Sequence, residues 1–264
     1  MRSTHRRPVA ATALAAVAAL TLAACGSGSD DAGSDGDGGI SLKTSGKLTV
    51  CSDIPYEPFE FVKDGKNVGF DLDIADKIAE KLDAKTNVID ASFDSIESGL
   101  FKTQCDIAIS GISITDARKA NMDFSSPYLD DDLVLVAKEG SGIDSVKSAK
   151  GKKVAVQQST TGEEYAKDNG LTPTGYEDSG LQVQSMKSGQ TQAALGNQSI
   201  LRYAIKDDSS LQVVEEIKSG EQLGIAVPKG QDELLDTVNE TLKDLESDGG
   251  MDELKKKWFG DDAA

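Results

Sequence analysis

Histidine is almost missing from this chain: its 264 residues hold one, His5. A body without imidazole cannot assemble a Ser-His-Asp or Cys-His nucleophile system or a His-ligated zinc site. Most hydrolase chemistry is thereby excluded, and neither metal nor cofactor is expected. No G-x-x-x-x-G-K-[ST] phosphate loop is present either. Basic charge is scarce. Lys and Arg total 28 against 45 Asp and Glu, for a formal net charge of −17. Arg2, Arg6 and Arg7 sit at the very start, so the remainder is more negative still. A surface of that sign repels phosphate backbones, which argues against nucleic acid as a partner.

Long apolar runs are also lacking. The one uncharged stretch of note, residues 9–24, is rich in Ala, Leu and Val and follows the three arginines. It falls short of the roughly 20 residues a spanning helix needs. A basic start followed by a short apolar run reads as an export signal over residues 1–24. The run LAACG at 22–26 resembles a bacterial lipobox. That resemblance implies cleavage before Cys25 and a lipid on its sulfur; an ordinary signal with a chance cysteine is the alternative. Residues 26–39, GSGSDDAGSDGDGG, carry no apolar side chain larger than Ala. They read as a flexible tether extended by Asp repulsion. The expected layout is a signal at 1–24, a lipid-anchored linker at 25–39, and a body held outside the cytoplasm at the cell membrane.

The body alternates strand-length apolar runs with helical periods. Strands are expected at 47–51, 59–62, 86–89 and 106–110, and helices at 71–82 and 94–102. The helix at 71–82 puts Ile74, Ala75, Ile78, Ala79 and Leu82 on one face. A β-α-β-α-β order points to an α/β layer with parallel strands. A second unit follows: strands at 153–156, 193–195, 211–214 and 223–227, and helices at 160–168, 179–188, 200–206 and 232–247. A short last helix reaches Trp258 and Phe259, expected to anchor the tail. Residues 133–137 form an apolar ribbon suited to crossing between units.

Three stretches together carry a family resemblance: CSDIPYEPFEF at 51–61, VGFDLD at 68–73, and SGISITDARK at 110–119 continuing to MDFSSPY at 122–128. In that order and spacing the body resembles the extracellular solute-binding proteins, family 3, which serve polar amino-acid ABC importers. The resemblance implies a two-lobed periplasmic-binding-protein fold of type II, with a ligand cleft between α/β lobes. Lobe 1 would be residues 40–133 plus 226–264 and lobe 2 residues 134–225, with hinge strands at 133–137 and 223–227. It also implies a small polar solute, an ABC permease as partner, a monomer and no catalysis. A carboxylic-acid dehydratase on the same scaffold is the alternative, since carboxylates can act as acid and base without His. A signalling ectodomain is disfavoured, because no spanning segment follows.

Arg118 is the foremost site candidate, because a guanidinium fork grips a planar carboxylate with two parallel charge-assisted hydrogen bonds. A solvated arginine at a helix start is the other reading. Ser110 and Gly111 follow a strand at its carboxyl end, where open α/β sheets bind ligands, and Gly111 permits close backbone approach. The resemblance implies that backbone groups of Ser110 and Gly111 and the hydroxyl and amide of Ser113 meet the solute. Asp53 would accept from a polar ligand side chain and Tyr56 would wall the ligand; an exposed turn Asp and a rim Tyr are their plain alternatives. Phe93 matches a cleft-lining position, or is a core Phe. In lobe 2, Gln157, Ser159 and Thr160 lead into a helix whose free N–H groups suit a carboxylate, although Thr160 is also a simple N-cap. Relatives usually place an Asp where this chain has Asn197. A neutral amide adds no countercharge for an α-ammonium, so Asn197→Asp is expected to strengthen such a ligand. Cys51 and Cys105 remain for a disulfide. Parallel neighbouring strands would set them at opposite ends, beyond the ~7 Å Cα limit, unless a bend shortens the gap.

Overall fold

The computed structural model describes residues 40–260. The expected signal, tether and lipidated Cys25 lie outside the described residues.

Two five-stranded sheets organise the body. The first runs in the order Lys85–Asp90, Lys47–Ser52, Ile107–Ala108, Ala226–Val227, Asp123–Phe124. Its first three strands are parallel, and the last two join antiparallel. The second runs Thr174–Tyr176, Val154–Gln157, Ala193–Asn197, Leu133–Lys138, Leu211–Ile217. Here the first three strands are again parallel, and Leu133–Lys138 runs opposite to both of its neighbours. The sheets are thus mixed rather than wholly parallel.

Strand alternation feeds a core on each face. In the first sheet, Leu48 and Val50 pack with Ile74 and Ile78 of the helix Phe70–Lys81 and with Val238 and Leu242 of the helix Asp232–Asp248. Cys51 turns to the opposite layer with Phe93, Ile96, Phe101 and Met122. In the second sheet, Leu133 and Leu135 face one layer while Val134 and Val136 face the other. That double burial explains the continuous apolar run at 133–137. The run is a central strand of the second sheet, not a free ribbon. The short strands Leu129–Asp130 and Gln222–Leu223 pair antiparallel in a separate two-stranded ribbon.

The helix expected at 94–102 is split. Phe93–Glu97 is α-helical, Gly99 sits at φ 78° in the left-handed region, and Leu100–Thr103 is a 3-10 turn. Only glycine takes that φ without strain, so the helix stops there. The same bend brings the chain back early. The Asp106 amide bonds the Thr49 carbonyl before the strand at Ile107 begins. Cys105 therefore reaches Cys51, with Cα atoms 5.7 Å apart, and the two form a disulfide. At the far end, the Trp258 indole donates to Asp73 at 2.6 Å, and Phe259 packs edge-on against Phe59 and Phe70. The tail is thereby fixed to the first lobe.

Candidate functional site

The loop that leaves the strand Ile107–Ala108 builds one wall of the cleft. Thr115 caps the short helix Asp116–Lys119 and presents Arg118. The Arg118 side chain is buried, with 4% of the residue exposed. One guanidinium nitrogen donates to the Ser113 carbonyl at 2.9 Å. Another reaches across to the Ser159 carbonyl at 3.1 Å, joining the two lobes. The guanidinium carbon stands 5.1 Å from the centroid of the buried Phe93 ring, a cation–π contact. Burial pulls the Arg118 pKa below its ordinary value, while Glu97 and Glu221 pull it back up.

Gly111 adopts φ 52°, and a Cβ there would lie 2.6 Å from a Tyr56 ring carbon. The absence of a side chain lets Tyr56 lie against this turn, stacked on Phe59 at 5.5 Å. Inward hydrogen bonds hold the turn. The Ser110 hydroxyl donates to Glu60, and the Gly111 amide donates to Asp71 at 2.8 Å. The Ser110 hydroxyl and the Gly111 N–H are thus committed to the lobe interior, not to the cleft.

The facing wall comes from the second lobe. Ser159 holds φ 62°, and its hydroxyl meets Asp94 of the first lobe at 3.1 Å. The Thr160 hydroxyl caps the helix Thr161–Asp168 and also donates to the Gln157 carbonyl at 2.8 Å. Gln157 is buried and donates its amide to Asp53 across the cleft. Burial raises the Asp53 pKa to about 7; Gln157 lowers it, and Asp178, Asp90 and Glu177 push it up again. The charged groups that act on Asp53 most strongly, Asp178, Asp90 and Glu177, are all acidic.

Asn197 is 7% exposed and donates to the Asp131 carbonyl at 3.1 Å and to Glu221 at 3.4 Å. Glu221 is a residue that sequence reasoning missed. It precedes the short strand Gln222–Leu223 and accepts from three donors on one oxygen. Ser113 of the first lobe donates at 2.6 Å, Thr161 of the second at 2.7 Å, and Asn197 completes the set. A carboxylate thus stands beside the neutral amide where no countercharge was expected. Two crevices open at the mouth, one of about 330 Å³ between Arg118 and the helix Thr161–Asp168, the other of about 470 Å³. Glu97, Glu163, Glu164 and Asp168 line the first together with Arg118 and Lys167, and Asp94, Glu163 and Glu177 line the second without a cation.

The family model for bacterial extracellular solute-binding proteins, family 3, matches residues 48–261. The chain belongs to that family. An arginine-binding extracellular protein of Bacillus subtilis (strain 168) is 34% identical over 254 residues, 93% of this chain and 96% of the relative. An L-cystine-binding protein of Escherichia coli (strain K12) is 31% identical over 227 residues, 84% and 85% respectively. Among solved structures, an ancestral arginine-binding protein bound to arginine is 37% identical with a TM-score of 0.76, covering 81% of this chain and 99% of that one. The two-lobed α/β fold is shared with these structures. The relatives are amino-acid-binding proteins of ABC importers, and the dehydratase alternative draws no support from them. In this family-3 protein Arg118, Ser159 and Thr160 of the eleven expected site residues line the first crevice, Asp53 meets Gln157, and Ser113 and Asn197 meet at Glu221. Glu221 and Thr161 join them. No periodicity marked those two, because their meeting depends on chain segments distant in sequence.

Proposed function

We propose that this solute-binding protein captures a cationic amino acid. Arg118 takes the α-carboxylate, Glu221 with Asn197 takes the α-ammonium, and Asp53 receives the positive end of the side chain. Tyr56 and Phe93 wall the solute on the first lobe, and Ser159 and Thr161 meet it from the second. The observation that carries this reading is the company Asp53 keeps: a buried carboxyl surrounded by Asp90, Glu177 and Asp178. A cation entering there relieves that repulsion, whereas a neutral or acidic side chain does not. The acidic crevices at the mouth add a field that draws cations inward. Closure delivers the solute to a membrane permease, with the monomeric body leashed by a lipid on Cys25 and residues 26–39. Catalysis plays no part in this reading. Lobe 1 is read as residues 40–133 plus 226–264 and lobe 2 as 134–225.

A thermal-shift and calorimetry series tests the ligand class, because a ligand that binds only the folded state raises its stability by mass action. L-arginine and L-lysine are expected to raise the melting temperature, and L-glutamate is not. Stabilisation by L-glutamine or L-cystine without any by L-arginine overturns the cationic assignment. For the anchor, labelled palmitate should enter the wild-type protein in a bacterial host and not the Cys25→Ala variant; equal labelling refutes it.

A further inference from the structure

Behind the turn Ser110–Gly111 lies a pair of acids that ligand contact does not require. Glu60 and Asp71 are each 0% exposed. Their hydrogen bonds differ. Asp71 accepts on one oxygen from the Gly111 amide at 2.8 Å and the Tyr128 hydroxyl at 3.1 Å. Glu60 accepts only from the Ser110 hydroxyl. Each carboxyl keeps a second buried oxygen without any partner, Oε2 of Glu60 and Oδ1 of Asp71. The titratable groups around them are Asp53, Tyr56 and Tyr128; no cation figures among the groups acting on either acid.

Two buried negative charges without a cation are strongly unfavourable, and such pairs retain a proton instead. We infer that Glu60 and Asp71 hold one proton between them, carried by Glu60, and that this singly charged pair positions the cleft turn Ser110–Gly111. The division follows from the donors. Two donors favour the charged form of Asp71, whereas Glu60 has one and lies near Asp53 as well. Burial raises the pKa of both, Asp71 to about 7 and Glu60 well above its ordinary value with Asp71 adding to it. Both acids are positioning residues: the Ser110 hydroxyl leans on one and the Gly111 amide on the other. The Ser110 hydroxyl in turn accepts from the Asp53 amide at 3.1 Å, so the pair steadies two first-lobe elements of the candidate site.

Selective 13C labelling of glutamate carboxyl groups reads the proton directly in the free protein. At about pH 8, where an ordinary Glu with pKa near 4.3 is fully ionised, one glutamate carbon should keep the shift of a protonated acid. E60Q should remove that signal, and the exposed control E57Q should leave it. Ionisation of every glutamate by about pH 6, or survival of the signal in E60Q, overturns the inference. Because no solute is present, this arm stands apart from the cationic-ligand reading. The second arm uses L-arginine. E60Q mimics the protonated acid and should bind within ~3-fold of wild type, whereas D71N removes the one charge of the pair and should lose at least ~10-fold. Equal loss in the two variants refutes the assigned roles. Should D71N fail to fold, the carbon signal and the E60Q affinity still decide.

Discussion

Replacing Arg118 with alanine removes a buried fork that no neighbouring side chain can replace. A bidentate carboxylate contact comprises two charge-assisted hydrogen bonds, each worth about 1.5–3 kcal/mol. In the free protein the guanidinium already bonds the carbonyls of Ser113 and Ser159, and those bonds also vanish in the variant. The Ser159 bond spans the lobes, so closure weakens along with direct contact. Discounting the gross figure for the lost guanidinium's own desolvation leaves about 3 kcal/mol, or a loss of affinity slightly above 100-fold. Arg118→Lys keeps the charge but not the fork, so roughly half of that loss is expected, about 10-fold. Isothermal titration with L-arginine reads both variants, and circular dichroism checks the fold. Binding of L-arginine by Arg118→Ala within ~3-fold of wild type would remove this residue from the site and collapse the assignment of the carboxylate end.

Glu221→Gln should weaken L-arginine by ~10-fold, the difference between a charged and a neutral acceptor for the ammonium, with an unchanged melting temperature; unaltered affinity would place the ammonium elsewhere. Asn197→Asp should weaken binding and stability, because the amide donates to the Asp131 carbonyl and Glu221 and a carboxylate there would repel both; a gain in affinity contradicts this. Asp53, with its pKa raised from 3.8 to about 7, binds a proton in the folded free protein that the unfolded chain has released. Its contribution to stability is therefore full below the lower value and declines as pH rises toward the upper one. A cation docking beside it favours the charged form, so L-arginine should bind more tightly from about pH 6 to about pH 8 and release protons. Calorimetry in two buffers of different ionisation enthalpy reads that release, and Asp53→Asn should abolish this share of it; identical heats for both proteins refute the assignment. Finally, the Cys51–Cys105 bridge closes a loop of sequence separation 54, so Cys51→Ala with Cys105→Ala should lower the unfolding free energy by up to about 4 kcal/mol in a denaturant titration. A loss under ~1 kcal/mol would mean that the native bridge is strained or the unfolded chain already compact.

Local chemistry explains which parts of this molecule were legible before the fold was known. The helix Phe70–Lys81 announced itself through Ile74, Ala75, Ile78 and Ala79, which are all buried. The run from Ser110 to Arg118 was legible as part of the family resemblance, and its turn at Gly111 and its Thr115-capped helix are both formed. The bridge between Cys51 and Cys105 was left open, since the strand register alone sets them apart. The shortcut depends on the bend at Gly99 and the early pairing of Asp106 with Thr49. The place of the run 133–137 inside its sheet was hidden for a related reason. A five-residue apolar run looks the same whether it crosses a gap or fills the middle of a sheet. Only the two faces of Leu133–Lys138, each covered by its own helices, tell the cases apart. The pair Leu129–Asp130 and Gln222–Leu223 is four residues in all, too short for any periodicity to register.

Glu221 shows what lies beyond such patterns. Its neighbours in sequence, Lys218 to Leu223, resemble an ordinary exposed turn. Its meaning arises from three donors separated by 108, 60 and 24 positions. One donor comes from the first lobe and two from the second, so only an arrangement that brings the lobes together satisfies this carboxylate fully. A solute ammonium placed there gains a countercharge together with the closing donors, and the closed form is favoured through that differential contact. The neutral Asn197 then fits its surroundings. With the charge moved to Glu221, a second carboxylate at 197 would face it across a hydrogen-bond distance, and the amide donates where an acid would repel.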